Sequence, residues 1–140
     1  MHNKDLPLIS VVVPTYNRAE FLKRALASIV SQKYSHWEVI VIDNHSKDHT
    51  DEVISSFKNP KIKLVKINNN GVIGASRNLG IKHSNGEWIA FMDSDDLWYD
   101  SRLRACTQIF GDKNKKFDII TMRGVIEHIQ DHKNLLNFLN

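Results

Sequence analysis

Apolar runs and amphipathic segments alternate along this chain. Leu8 to Pro14 (L-I-S-V-V-V-P) is β-branched and closed by proline, which predicts a buried strand. Phe21 to Val30 carries Phe21, Leu22, Ala25, Leu26, Ile29 and Val30 at helical spacing. Trp37 to Ile42 (W-E-V-I-V-I) predicts a second strand. Thr50 to Phe57 reads as a helix, with Asp48 or Thr50 able to cap it and Asp51 and Glu52 suited to its positive first turn. Ile62 to Ile67 alternates apolar residues with lysine, the pattern of an exposed or edge strand. Gly74 to His83 predicts a helix, Trp88 to Met92 a strand, Ser101 to Phe110 a helix and Asp118 to Met122 a short strand. From Gly124 to Asn140 the apolar residues Ile126, Ile129, Leu135, Leu136, Phe138 and Leu139 suggest one or two helices.

Strands and helices taken in turn argue for an α/β fold, a mostly parallel, doubly wound sheet flanked by helices. Such sheets bind ligands beyond the carboxyl ends of their strands, near a reversal of strand order. Those ends carry Pro14-Thr15-Tyr16-Asn17-Arg18, Asp43-Asn44-His45-Ser46, Asn68-Asn69-Asn70-Gly71 and Asp93-Ser94-Asp95-Asp96. All four are polar.

The 140 residues fit one domain, and 41% apolar with 25% charged residues is ordinary for a globular protein. A net charge of +3, with Lys and Arg scattered, gives no nucleic-acid footprint. Lys113, Lys115 and Lys116 form one short cluster that reads as a solvated turn. The single cysteine, Cys106, excludes an intrachain disulfide and lies in an amphipathic segment, so a core thiol and a cytoplasmic setting are expected. No apolar run approaches the roughly 18–20 residues that span a bilayer.

Asp93, Asp95 and Asp96 crowd three carboxylates into one turn. Like charges so close raise each other's pKa, and a divalent metal would relieve them. Hard oxygen ligands suit Mg2+ or Mn2+. A calcium loop would need an oxygen ligand, Gly and Glu where Leu97, Trp98 and Arg104 stand. An aspartyl-nucleophile phosphatase would carry its Asp-x-Asp after the first strand rather than the fourth. The first strand is followed by neither G-x-G-x-x-G nor a P-loop, and a nucleotidyltransferase would also bring a Gly-rich first loop. The seven histidines have no zinc spacing, and His45 and His49 read as loop residues. Tyr16 could offer a flat face to a base, or the same stretch could be a helix start capped by Asn17 with Glu20 three residues on. Asp43 could accept a hydrogen bond from a base or a ribose, or simply shape a turn. Gly71 and Gly74 would let backbone approach a ligand, with Arg77 pairing a diphosphate or facing solvent.

Taken together, three blocks resemble the family 2 glycosyltransferases with a GT-A fold. They run from Ser10 to Gln32 (S-V-V-V-P-T-Y-N-R-A-E-F), from Trp37 to Thr50 (W-E-V-I-V-I-D-N-H-S) and from Gly74 to Trp98 (G-A-S-R-N-L-G through F-M-D-S-D-D-L-W). The resemblance covers roughly Leu8 to Phe110. It implies a nucleotide-sugar-binding domain over residues 1–123, with 124–140 a helical tail. It implies an inverting, metal-dependent transferase taking a sugar from a nucleotide-sugar, usually a UDP-sugar, as in polysaccharide or lipopolysaccharide synthesis. The donor site would comprise Pro14, Thr15, Tyr16, Arg18, Asp43, Asn44, Arg77, Asp93, Ser94 and Asp95. Tyr16 would lie against the ring, Asp43 on the base and Arg77 near the ribose or diphosphate. Asp93 and Asp95 match the family's Asp-x-Asp metal motif with Asp96 adjacent, and Mn2+ or Mg2+ is the implied cofactor.

Two departures from the family pattern carry consequences. The second-strand motif is commonly Asp-Asp-Gly-Ser and here is Asp43-Asn44-His45-Ser46. Family members also continue with strands and helices that bind the acceptor and supply a catalytic base. No carboxylate in the tail, Glu127 and Asp131 included, stands in the context of that base motif. The chain therefore reads as a truncated donor half, and a nucleotide-sugar-binding module without turnover is the alternative function. The acceptor is expected to be a saccharide or a lipid-linked sugar, the location the cytoplasm or the inner membrane face. Exposed sheet edges and apolar tail residues favour a homo-oligomer.

Overall fold

The computed structural model describes residues 6–110 and 126–128. β1 is Ile9–Thr15, α1 Ala19–Val30, β2 Trp37–Asp43, α2 Thr50–Ser56 and β3 Ile62–Lys66. α3 is Ile73–His83, β4 Trp88–Phe91, α4 Arg102–Phe110 and β5 Ile126–His128. The sheet order is β3-β2-β1-β4-β5, with β1 to β4 mutually parallel and β5 antiparallel to β4. The chain thus steps outward from β1 to β3, then returns to the other side of β1. That reversal lies between β1 and β4, where an open α/β sheet leaves a crevice.

Both faces of the sheet are covered, which is why β1 and β2 read as continuous apolar runs. On one face Ile9, Val11, Val13, Val39, Val41, Ala90 and Met92 pack with Leu22, Leu26 and Ile29 of α1, Ile54 of α2, Trp98 and Leu103. On the other, Val12, Ile40, Ile42 and Ile89 meet Ile81 of α3. Gly80 lets α3 approach this second face: a Cβ there would stand 2.2 Å from Val12 Cγ1.

Pro14 shapes the crevice. Even-numbered residues of β1 direct their backbone groups at β4, as Leu8 O to Trp88 N and Val12 O to Met92 N make plain. Pro14 is the next residue to face that way and has no N–H to offer. The register between β1 and β4 ends at Val12–Phe91, whereas that between β1 and β2 runs on to Thr15–Asp43. The pairing with β4 ends three residues before β1 does, and the acidic turn follows.

Two expectations are corrected. Residues 126–128 are a strand of the same sheet rather than part of a helical tail: β4 has an outer edge of unpaired backbone groups, and Trp88–His128, Ile89–Glu127 and Ala90–Ile126 pair it. The rest of 124–140 and the strand expected at 118–122 lie outside the described residues. Asn17 does not cap α1; Arg18 is the N-cap residue, without a side-chain bond, and Asn17 has φ 50°. His49 lies in the loop before α2, as expected, where it is the N-cap residue, with Nε2 2.6 Å from Glu20 Oε1 on α1.

The end of the sheet away from the crevice holds a closed polar network around Glu38. Its carboxylate accepts from Ser10 Oγ (2.7 Å), Asn85 N (2.6 Å), Asn85 Nδ2 (3.3 Å) and Lys63 Nζ (2.9 Å). Ser10 Oγ in turn accepts from Gly86 N at 2.8 Å. Burial alone would raise the Glu38 pKa, but these bonds outweigh it and hold it at about 2. A carboxyl depressed in the folded state stabilises fully above its unfolded pKa, and that support is lost as pH falls through the folded value. Stability is therefore expected to fall between about pH 4.5 and pH 2, and Glu38→Gln to lower neutral-pH stability by about 2–3 kcal/mol while flattening that acid limb. Urea unfolding at pH 7, 4 and 3 measures both effects; an unchanged acid limb in the variant would contradict this role.

Candidate functional site

The loops at the carboxyl ends of β1, β2 and β3 are tied together by side chains. Asp48 takes the first-turn N–H groups of two helices: Oδ2 accepts from Ala19 N of α1 at 2.9 Å and Oδ1 from Thr50 N of α2 at 3.2 Å. Thr50 Oγ1 adds a third bond at 2.5 Å. Desolvation works against the charge on Asp48, but these donors prevail and its pKa is lowered. A carboxylate between two helix N-termini also meets both positive dipole ends. Asn17 Oδ1 accepts from Lys47 N at 2.7 Å, and Asn17 N donates to Ser46 Oγ at 2.8 Å. Asn44 Oδ1 accepts from Asn69 N at 3.0 Å, and Asn69 Nδ2 donates to Ser76 Oγ at 2.9 Å, which carries the chain of bonds to α3.

The acidic turn is anchored on its far side by α1. Trp98 is buried in the core, and its N–H donates to Ser28 Oγ at 3.2 Å. The Gln32 amide donates to Tyr99 O at 2.6 Å and accepts from Leu103 N at 3.1 Å, so it holds both the segment after the turn and the first turn of α4.

Between these anchors, Asp93, Asp95 and Asp96 bring one carboxylate oxygen each to within 4.8 Å of one another. The turn is closed by Asp96 N donating to Asp93 O at 3.0 Å, with Ser94 buried inside it. Two guanidiniums reach it from opposite sides. Arg77 Nη2 of α3 lies 3.4 Å from Asp93 Oδ1, and Arg18 Nη1 lies 3.2 Å from Asp95 Oδ2. Arg77 also sits over the Phe91 ring, 5.8 Å from its centroid. Tyr16 is half-exposed at the end of β1. Among the described residues, two buried side-chain polar atoms lack a hydrogen-bond partner, Thr15 Oγ1 and Arg77 Nε. Both belong to this site, and an unpaired buried polar atom is costly enough to point to a missing ligand. Clustered hard carboxylate oxygens fit a divalent cation such as Mg2+ or Mn2+, and the unpaired donors beside them fit an anionic, oxygen-rich ligand.

Asp43 is fully buried at the end of β2. Ser46 N donates to both its oxygens at 3.2 Å, Ser46 Oγ to Oδ1, and Lys66 Nζ to Oδ2 at 2.7 Å. Lys66 also reaches Asp51 Oδ1, and these two carboxylates raise its pKa. Asp43 therefore supports the loop that presents Asn44. Around Gly74 no atom lies within 4 Å of a built Cβ, and Gly71 has φ 80°. Sequence reading missed Lys66, Asn69 and Gln32. Lys66 followed a solvent-facing alternation, and Asn69 and Gln32 carried no local signal. Asp48 was legible only as a cap of α2.

An acidic turn and two arginines thus line the crevice at the strand-order reversal, where open α/β sheets bind ligands. The model of the glycosyl transferase family 2 matches residues 10–134, and the chain belongs to that family. It is 33% identical over 96 residues to UDP-Glc:alpha-D-GlcNAc-diphosphoundecaprenol beta-1,3-glucosyltransferase WfgD of Escherichia coli, a match covering 69% of this chain and 38% of WfgD. Among solved structures it is similar to S. aureus TarS 1-349 in complex with UDP-GlcNAc, with TM-score 0.71, 29% identity, and 84% of this chain and 36% of that one covered. The mannosyltransferase PcManGT of Pyrobaculum calidifontis, in complex with GDP-Man and Mn2+, gives TM-score 0.70 and 28% identity over 76% of this chain and 33% of that one. The fold is that of the GT-A glycosyltransferases. The chain spans well under half the length of each of these proteins. Among the described residues, no helix is long and apolar enough to cross a membrane.

Asp48 ties the starts of α1 and α2 together beneath the site. Asp48→Ala removes the partner of two helix starts and is expected to cost about 2 kcal/mol. Asp48→Asn, which keeps the acceptor but not the charge, should recover part of that. Chemical denaturation of the three proteins tests this; a loss below about 0.5 kcal/mol for the alanine variant would refute the double cap.

Proposed function

We propose that this chain is the donor-binding part of a metal-dependent, inverting glycosyltransferase that uses a UDP-sugar. The observation that carries the reading is the arrangement of three carboxylates within 4.8 Å, flanked by Arg18 and Arg77, with Thr15 Oγ1 and Arg77 Nε unpaired beside them. Asp93, Asp95 and Asp96 would hold Mn2+ or Mg2+. When bound, the ion supplies positive charge that binds the diphosphate and offsets the charge left on UDP as the sugar departs.

The chain's own residues account for the rest of donor capture. Tyr16 offers its exposed ring to the base beside Pro14. Thr15 Oγ1 and Asn44 stand at the adjoining strand ends as polar partners for base or ribose. Arg77, against Asp93 and over the Phe91 ring, would offer its guanidinium to the diphosphate. Burial of Ser94 fixes the backbone between the two outer carboxylates. Asp43 acts through the loop it holds. In the transfer, an acceptor hydroxyl oxygen bonds to the anomeric carbon, the bond to the UDP oxygen breaks with its electron pair, and a carboxylate takes the hydroxyl proton. No described residue is assigned as that carboxylate.

Support for a UDP-sugar comes from the similarity to TarS, solved with UDP-GlcNAc, and to WfgD, whose name specifies UDP-Glc. WfgD acts on a diphosphoundecaprenol-linked sugar. A similar lipid-linked or saccharide acceptor would bring this protein to the inner membrane face.

Mn2+ with UDP is expected to raise the melting temperature by roughly 5–10 °C at a hundredfold excess over Kd, and neither alone should do so fully. Asp95→Ala should abolish the rise while leaving the ligand-free melting temperature nearly unchanged. A panel of UDP-sugars, with and without acceptors, then separates turnover from capture: UDP release above a metal-free control assigns transfer. Binding without release assigns a donor-binding module. No thermal response to any nucleotide with metal would sink the reading.

A further inference from the structure

Arg18 has a fixed base and a movable head. Its backbone is held on both sides: Asn17 N donates to Ser46 Oγ at 2.8 Å, Asn17 Oδ1 accepts from Lys47 N at 2.7 Å, and Ala19 N donates to Asp48 Oδ2 at 2.9 Å. Arg18 O accepts from Leu22 N at 2.8 Å, as the first bond of α1. The side chain, in contrast, is half-exposed and makes a single ion pair, with the equally exposed Asp95. Its guanidinium also lies 5.9 Å from the centroid of Phe21, whose ring carries Arg24 at 4.9 Å. The Arg77 side chain is exposed to a similar degree and pairs with Asp93 at 3.4 Å, but its Nε is buried.

We propose that Arg18 is a place-holding cation: it neutralises Asp95 before metal arrives, yields that carboxylate to the metal, and turns to the donor's diphosphate. The proposal rests on the donor-site reading above. Its physical basis is competition. Three carboxylates within 4.8 Å repel one another, and the Arg18 and Arg77 pairs offset that repulsion in the structure described. A dication bound by the same oxygens makes the Arg18 pair redundant and repels the guanidinium. A diphosphate arriving with the metal supplies a new anionic partner of matching geometry. An exposed ion pair is weak enough to be exchanged. Reach is preserved, because the anchored backbone keeps the head within the site in either state.

Competition makes a prediction of opposite signs that a merely structural role does not. Without nucleotide, Arg18→Gln should bind Mn2+ about two- to fivefold more tightly than the native chain, because a competing cation is gone. With Mn2+ saturating, the same variant should bind UDP about five- to tenfold more weakly, because a diphosphate partner is gone. Arg18→Lys, which keeps the charge but not the fork, should fall between on both scales. The Mn2+ electron paramagnetic resonance signal of the unbound ion gives the first constant, and calorimetric titration with UDP gives the second. Asp95→Asn, which should lose Mn2+ in both settings, checks that the ion sits at the turn. Shifts of the same sign, no shift in Mn2+ affinity, or no Mn2+ binding by the native chain without UDP would each overturn the place-holder. In those cases the donor-site reading stands so long as Mn2+ and UDP together still bind and Asp95→Asn abolishes it. Failure of the native chain to bind the pair would sink that reading itself.

Discussion

Three like charges in one turn need neighbours that make them bearable, and much of the described structure is arranged to supply those neighbours. Carboxylate oxygens within 4.8 Å of one another must be balanced by cations that arrive from other elements. Arg18 comes from the loop after β1, Arg77 from α3. Neither is close in sequence to the turn. Their placement requires that β1 and β4 be neighbours, that α3 lie against the sheet, and that the loop between β1 and α1 be rigid. The strand order satisfies the first condition, Gly80 against Val12 the second, and Asp48 with Asn17 the third.

The two ends of the sheet answer different needs. Around Glu38 every named partner is supplied within the chain, and nothing there asks for a ligand. At the opposite end the inner ties are equally complete, through Asp43, Asp48, Asn44 and Asn69, but the surface they carry is not. Thr15 Oγ1 and Arg77 Nε are left buried and unpaired just beneath it. A satisfied layer beneath an unsatisfied one is the arrangement expected where geometry must be fixed before a ligand arrives, because rigid donors lose little on binding. Pro14 belongs to the same logic. By withholding an N–H toward β4 it ends one ladder early and opens the crevice without weakening the ladder to β2.

Much of this was legible in the sequence. β1, β2 and β4 appear as apolar runs because both faces of the sheet are covered there, β3 as the alternation of an edge strand, and the helices between them keep helical spacing. The acidic turn, Arg77 and Tyr16 were legible as residue types out of place in a core. What escaped reading depends on contacts between distant segments. Lys66 was lost in the apolar–lysine alternation of β3, yet it folds back onto Asp43 and Asp51. Asn17 carried the local signature of a cap, but the bond to α1 comes from Asp48, twenty-nine positions away in the chain. The strand at Ile126–His128 escaped because a short segment takes its conformation from the edge it pairs with, and periodicity contains no record of that edge.

The departure from the common Asp-Asp-Gly-Ser pattern can be argued from the same geometry. His45 stands where that pattern has glycine, and its φ of 52° is the left-handed conformation that glycine adopts without penalty. Histidine is among the side chains that tolerate this region, so the turn survives the exchange. Asn44 stands where the pattern has its second aspartate and uses Oδ1 to hold Asn69 N at 3.0 Å. A carboxylate could accept the same bond, but it would add a negative charge next to Asp43, whose own charge is already answered by a Lys66 shared with Asp51. One ammonium between two carboxylates has no capacity for a third. Asparagine keeps the tether to the loop after β3 and leaves the charge balance of the buried layer intact, so the sequence can depart from the pattern while the architecture beneath the site does not.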